Sequence, residues 1–191
     1  MTRHTESLSA EYFEGRYREN IDPWDFRSSA YEREKYDATL IALGKSTYQR
    51  VLEVGCSIGV FTTKLARRSE RLLAIDASQT AIHAARENAP SNVTFEKRVL
   101  PGNFPEGPFD LIVLSEVLYY FSEADLRVVA NHCRAALAPG GEIALCHWLG
   151  ETDYPLTGHQ ASDIFAEAVV KRAPSRRILR DEVYRLETFS P

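Results

Sequence analysis

The residues best placed to do chemistry lie in one short stretch and at one acid beyond it. Val51-Leu52-Glu53-Val54 is an apolar run broken only by Glu53, and it leads into Gly55-Cys56-Ser57-Ile58-Gly59. A strand that reverses into a helix beside a ligand needs residues that tolerate positive φ and let the ligand approach the backbone, which is the role assigned to Gly55 and Gly59. A second apolar run, Leu72-Leu73-Ala74-Ile75, ends in Asp76. A carboxylate roughly 20 residues past such a turn is where an open α/β sheet binds ribose hydroxyls. Cys56 directly follows Gly55, so the spacing reads E-x-G-x-x-x-G. That breaks the G-x-G-x-x-G pattern whose second glycine admits a pyrophosphate, and it disfavours a dinucleotide.

The E-x-G-x-x-x-G pattern resembles motif I of the class I S-adenosylmethionine-dependent methyltransferases. The resemblance continues through Asp76, which matches the ribose-binding acid, through Phe109-Asp110-Leu111-Ile112-Val113-Leu114 as a fourth strand, and through Pro139-Gly140-Gly141-Glu142-Ile143-Ala144-Leu145 as the approach to a fifth. It implies S-adenosylmethionine as cofactor, with Gly55, Cys56, Ser57 and Gly59 around its methionine portion and Glu53 and Ser115 also in the cofactor site. Asp76 then accepts both ribose hydroxyls, Ala77 packs on adenine, and Val99 and Leu100 flank the ring. Many relatives carry an acid near this last point, where this chain reads Arg98-Val99-Leu100-Pro101. Backbone groups are expected to take over that contact.

A narrower resemblance lies outside the glycine turn. Asp22-Pro23-Trp24-x-Phe26, Tyr31-Glu32, Lys35-Tyr36, Gly55-Cys56, Ser115-Glu116-Val117-Leu118-Tyr119-Tyr120 and Gly158-His159 resemble the NodS-like methyltransferases. These are rhizobial nodulation enzymes that N-methylate the deacetylated glucosamine end of a chitooligosaccharide. The implied acceptor is a small molecule or oligosaccharide bearing an amine. O-methylation of a secondary metabolite and a non-catalytic cofactor-binding regulator are the alternatives. Lys35 is either a partner of the methionine carboxylate or an exposed helix lysine. Trp24 is either a lid over the cofactor or a staple between the N-terminal helices and the sheet. An amine nucleophile must first be neutral, so a base near the methyl group is needed. Glu116 is the first candidate, unless it is a helix-start acid or a ligand of the methionine amino group; His147, which reads more readily as a satisfied core histidine, and His159 are the others. Tyr119 and Tyr120 lie where a substrate could stack, or one of them fills core, and the strand end lacks the Asn/Asp-Pro-Pro-Tyr of enzymes that methylate DNA bases or protein amides.

The elements that must position these groups follow from apolar periodicity. A βαβ series is predicted, with strands at 50–54, 72–76, 93–96, 109–114 and 142–148, helices at 58–67, 77–88 and 123–138, and a strand at 182–189. Two helices, 9–18 and 29–43, precede the sheet, joined by the aromatic loop 20–26. The expected architecture is a Rossmann-like, doubly wound, mostly parallel seven-stranded sheet with an antiparallel edge. One domain spans 1–191, with a helical cap at 1–48 and the cofactor-binding core at 49–191.

The chain has 191 residues and a net charge of −4, from 27 acids against 23 Lys and Arg. It lacks the basic excess that phosphate-backbone binding demands, so no nucleic-acid partner is expected. The modest patch Lys171-Arg172, Arg176-Arg177 and Arg180 reads as a solvated surface turn. No apolar stretch approaches the roughly 20 residues that span a bilayer, and a cytoplasmic protein without a membrane partner is expected. Three scattered cysteines and five scattered histidines give neither a disulfide framework nor a metal site. Cys133 and Cys146 read as small buried residues.

Overall fold

Val, Leu and Ile crowd the segments that become the central strands, because a parallel sheet covered on both faces buries both rows of side chains. These strands are β1 (Tyr48–Val54), β2 (Ser69–Asp76), β3 (Val93–Lys97), β4 (Phe109–Ser115), β5 (Leu137–Trp148), β6 (Ser175–Arg180) and β7 (Tyr184–Ser190). In the computed structural model, which describes residues 3–170, 173, 175–180 and 183–190, they form one sheet of order β3-β2-β1-β4-β5-β7-β6. Strands β1 to β5 are mutually parallel, and β7 runs antiparallel to both β5 and β6. The antiparallel strand therefore sits one place in from the rim.

Strand alternation sends the two rows to different helices. Leu52, Ile75, Ile112, Leu114 and Leu145 pack with α5 (Glu123–Ala136) and α6 (Gly158–Val169). Val51, Leu72, Leu111 and Val113 pack with α2 (Ala30–Ala42) and α3 (Val60–Leu65) on the opposite face. Ala74 and Phe95 lie under α4 (Gln79–Arg86). The first helix, α1 (Ala10–Glu19), brings Tyr17 against Ile58 and Ala81. Cys133 and Cys146 are buried thiols within these layers. No helix among the described residues is long and apolar enough to cross a membrane.

Several boundaries differ from the sequence reading, each for a local reason. Helix α3 starts at Val60 rather than residue 58 because Gly59, at φ 82°, caps it. Helix α4 starts at Gln79 because Ser78 is its cap, accepting the Ala81 N–H at 3.1 Å. It ends at Arg86, a few residues before Pro90, which disfavours helical backbone at the residue before it. Helix α5 stops at Ala136, and β5 already begins at Leu137. The predicted helix at 9–18 appears as α1 and that at 29–43 as α2, with Ser9 and Ser29 as their caps.

Strand β6 is not among the expected strands, because Ser175-Arg176-Arg177-Ile178-Leu179-Arg180 shows no clean alternation and falls within the basic patch. Of that patch, Lys171 and Arg172 and the side chains of Arg176 and Arg180 lie outside the described residues, as does Glu182 at the start of the predicted final strand. Arg177 is exposed.

Candidate functional site

The strand order reverses between β1 and β4, and their carboxyl ends are where an open sheet binds ligands. A cavity of about 420 Å³ opens there, walled on the sheet side by residues from Glu53 to Ser57, Asp76, Ala77 and Ser115 to Val117. Its outer wall is aromatic and comes from the cap, through Phe13, Tyr17, Trp24, Phe26, Tyr31 and Tyr36.

The turn after β1 is left-handed at three points, Gly55 (φ 77°), Ser57 (φ 51°) and Gly59 (φ 82°). A Cβ on Gly55 would stand 3.3 Å from Val117, and one on Gly59 would stand 3.2 Å from Ala85. Close approach and positive φ together require glycine at both positions. Ser57 carries the same backbone strain, which persists where surrounding bonds over-determine it. Those bonds are present: the Ser57 N–H donates to Asp76 Oδ2 at 2.9 Å, and the Tyr17 hydroxyl donates to Ser57 Oγ at 2.6 Å. The other oxygen of Asp76 accepts from Ser78 N–H at 2.9 Å. Burial raises the Asp76 carboxyl above its ordinary value, against the pull of these N–H donors. Glu53 is 3% exposed, and its Oε2 has no hydrogen-bond partner among the described residues. Burial, with Asp76 adding to it, pushes Glu53 up to about 8.

The cap is fastened by Glu14, which accepts from Ser78 Oγ and Thr80 Oγ1, each at 2.7 Å, and from the Thr80 N–H. An acid at the start of α4 is also favoured by the helix dipole. Despite the opposing effect of burial, these donors hold Glu14 down at about 2. Asp22 shapes the aromatic loop by accepting the N–H groups of Phe26 at 2.8 Å and Arg27 at 3.0 Å. The loop then presents Trp24 to the cavity with its ring 5.7 Å from that of Tyr17. Trp24 thus both walls the cavity and joins the cap to the residues around Ile58 and Ala81.

At the β4 end the geometry reassigns the candidate bases. Glu116, at φ 56°, accepts from Lys35 Nζ at 2.6 Å, the Tyr119 hydroxyl at 2.5 Å and the Trp148 N–H at 3.0 Å. Burial alone would raise its carboxyl, but the Lys35 ammonium prevails and keeps it low. A carboxylate engaged in this way is a poor proton acceptor. Lys35 is fully buried, also donates to Glu32 Oε1 at 2.8 Å, and does not line the cavity. The expected contact with a methionine carboxylate is therefore replaced by this ion cluster.

His147 is likewise fully buried, and its Nε2 accepts the Leu118 N–H at 3.1 Å. Burial pushes it down to about 4, so it is neutral near pH 7. Neither it nor His159, which is exposed at the start of α6, lines the cavity. Both are corrected as bases: His147 is a structural acceptor and His159 stands at the surface. Gly59 acts behind the cavity wall. Trp24, Glu53, Gly55, Cys56, Ser57, Asp76, Ala77, Val99, Leu100, Ser115, Glu116, Tyr119 and Tyr120 all line it. Sequence reasoning gave no role to Phe13, Tyr17, Tyr31, Glu32, Arg98, Trp148 or Tyr154, which also line it. The one signal for several of them was the density of aromatics before the sheet.

His147 makes stability depend on pH. Its folded value lies below the ordinary 6.5, so the unfolded chain takes up the proton first. The stabilisation is present above pH 6.5 and is lost as pH falls towards 4. Urea unfolding of the wild type is expected to lose about 3 kcal/mol across that window. His147→Gln should flatten that limb, and an unchanged slope would contradict the assignment.

Residues 14–151 match the family model for Nodulation protein S (NodS). The chain belongs to the NodS family. Nodulation protein S of Rhizobium tropici is 36% identical over 126 residues, 64% of this chain and 53% of that protein. The NodS protein of Azorhizobium caulinodans is 31% identical over 165 residues, 81% of this chain and 74% of that one. The alignment thus spans about half the length of the Rhizobium tropici protein. The crystal structure of the N-methyltransferase NodS from Bradyrhizobium japonicum WM9 in complex with S-adenosyl-L-homocysteine superposes with a TM-score of 0.81 at 26% identity. It covers 96% of this chain and 98% of that one. The NodS fold is thus shared along nearly the whole chain, cap included.

Proposed function

We propose that this NodS family member is an S-adenosylmethionine-dependent N-methyltransferase acting on a small molecule or oligosaccharide that bears a primary amine. The observation that carries the reading is Asp76, whose carboxylate faces the cavity beside the left-handed turn while already holding Ser57 and Ser78. Each carboxylate oxygen has a further lone pair, so the pair can also take the two hydroxyls of a ribose. The Glu53 oxygen that has no partner among the described residues fits the ammonium of the cofactor's methionine portion. Val99 and Leu100 offer apolar contact to adenine, and Ala77 adds to it.

When bound, the cofactor would supply a sulfonium-activated methyl group, to whose carbon an amine lone pair forms the new bond as the carbon–sulfur bond breaks and its electrons leave with the thioether. The protein's contribution is positioning and exclusion of water. The cap residues Trp24 and Tyr17 close the outer wall, and the strained turn at Ser57 fixes the sheet side. Glu116 acts by position, holding Tyr119 and the Trp148 backbone where the acceptor side of the cavity is formed.

The acceptor class carried over from the nodulation relatives is the amine of a deacetylated amino sugar. The test is transfer of a labelled methyl group onto glucosamine oligomers, run beside a panel of phenols. Label on the amine is the expected outcome. Label on phenols alone, or on nothing, would overturn the reading.

A further inference from the structure

Two carboxylates of the cavity keep an oxygen without a hydrogen-bond partner among the described residues, and they lie on different elements: Glu53 on β1 and Glu32 on α2. Glu32 is 7% exposed and lines the cavity. Its Oε1 takes the Lys35 ammonium at 2.8 Å, while Oε2 is left over. The same lysine also serves Glu116 at 2.6 Å, so two carboxylates share one ammonium. Next to Glu32 in the sequence, Tyr31 also lines the cavity, and its buried hydroxyl is likewise without a partner among the described residues. A buried polar atom without a partner costs free energy of roughly 1–3 kcal/mol, and a ligand that supplies the missing donor recovers it. A carboxylate oxygen left without a donor fits a cation with N–H donors.

Position separates this pair from the ribose site. The Tyr31 ring lies 6.1 Å from that of Tyr184, which pairs with Trp148 at the end of β5. Asp76 ends β2, and the sheet order from there is β1, β4, β5. Three strand spacings amount to about 14 Å, so Tyr31 and its neighbour stand on the far side of the cavity from the ribose site.

We infer that Glu32 Oε2, assisted by the Tyr31 hydroxyl, is the docking point for the acceptor's amine, and that the acceptor enters as a primary ammonium. The inference rests on the methyltransferase reading and deepens it. Glu32 accepts an N–H of the ammonium and orients it, and the ammonium gives up one proton to solvent before transfer, leaving the neutral amine with its lone pair free. Glu116 is already engaged by three donors and does not serve this purpose. Selectivity follows, because an N-acetylated analogue brings neither the charge nor the spare N–H donors.

Calorimetry on the full chain saturated with S-adenosylhomocysteine tests this. The titrants are glucosamine dimer and tyramine, each beside its N-acetyl form, and the proteins are wild type, Glu32→Gln and Tyr31→Phe. Wild type is expected to bind at least one free amine tenfold or more above its acetylated form. Glu32→Gln should erase that preference while leaving the Kd for S-adenosylhomocysteine within twofold. Tyr31→Phe, which removes one oxygen and leaves the ion cluster intact, should weaken the amine about threefold with an unchanged melting temperature. A preference that survives in Glu32→Gln, or its absence from wild type, would overturn the inference. A parallel loss of cofactor affinity would assign Glu32 to the cofactor instead and overturn it too. Failure of wild type to bind the cofactor shows in the first titration and strikes the methyltransferase reading itself.

Discussion

Asp76→Ala is expected to weaken S-adenosylhomocysteine binding by about 100-fold or more. The carboxylate has two roles that alanine cannot fill. It is the acceptor offered to a ribose diol, and hydrogen bonds to a charged group contribute roughly 1.5–3 kcal/mol each. It also holds the Ser57 and Ser78 N–H groups at 2.9 Å each, which keep Ser57 at its left-handed φ and start α4 at Ser78. Loss of two charged bonds gives about 3 kcal/mol, or about two decades in Kd. Asp76→Asn keeps one acceptor oxygen and the shape, and it should fall between the two. Binding by Asp76→Ala within threefold of wild type would show that ribose is held elsewhere.

Lys35→Met should destabilise the fold by roughly 3–5 kcal/mol, because removing one partner of a buried ion pair leaves its charge uncompensated. Here the ammonium is fully buried and serves both Glu32 and Glu116. For a chain of this size the loss lowers the melting temperature by about 10 °C. Adding Glu32→Gln and Glu116→Gln to Lys35→Met should restore most of it, since the orphaned charges are then gone. The sign with pH is fixed by Glu116, whose folded value lies below its ordinary one. Its contribution is present above pH 4.5 and is lost as pH falls through the folded value, so wild type and variant converge in acid. A cost under 1 kcal/mol at pH 7 in urea unfolding would contradict the cluster's role.

What could be read from the sequence was local. Gly55, Gly59, Glu53 and Asp76 announce themselves because positive φ, strand ends and ribose chemistry each restrict residue type within a short window. Apolar periodicity likewise placed α1, α2 and α5 within a few residues of their bounds. The ion cluster was hidden, for Lys35 and Glu116 lie 81 residues apart and neither stands out by spacing. His147 was ambiguous for a different reason: strand alternation offers a side chain either face, and only packing shows that its ring turns to the Leu118 backbone. Strand β6 was hidden by its arginines, since a rim strand exposed to solvent carries little apolar pattern. Glu32 was visible as part of a resemblance, yet its free oxygen is a property of the folded cluster.

The account rests most directly on one titration, that of the full wild-type chain with S-adenosylhomocysteine, run beside NAD. One site per chain is expected for S-adenosylhomocysteine, with a Kd on the order of 10 μM, an ordinary affinity for a small-molecule site. No measurable binding is expected for NAD, because Ser57 occupies the place where a dinucleotide turn needs its second glycine. Absence of S-adenosylhomocysteine binding, or NAD binding of equal strength, would contradict the assignment of the Gly55 to Asp76 site.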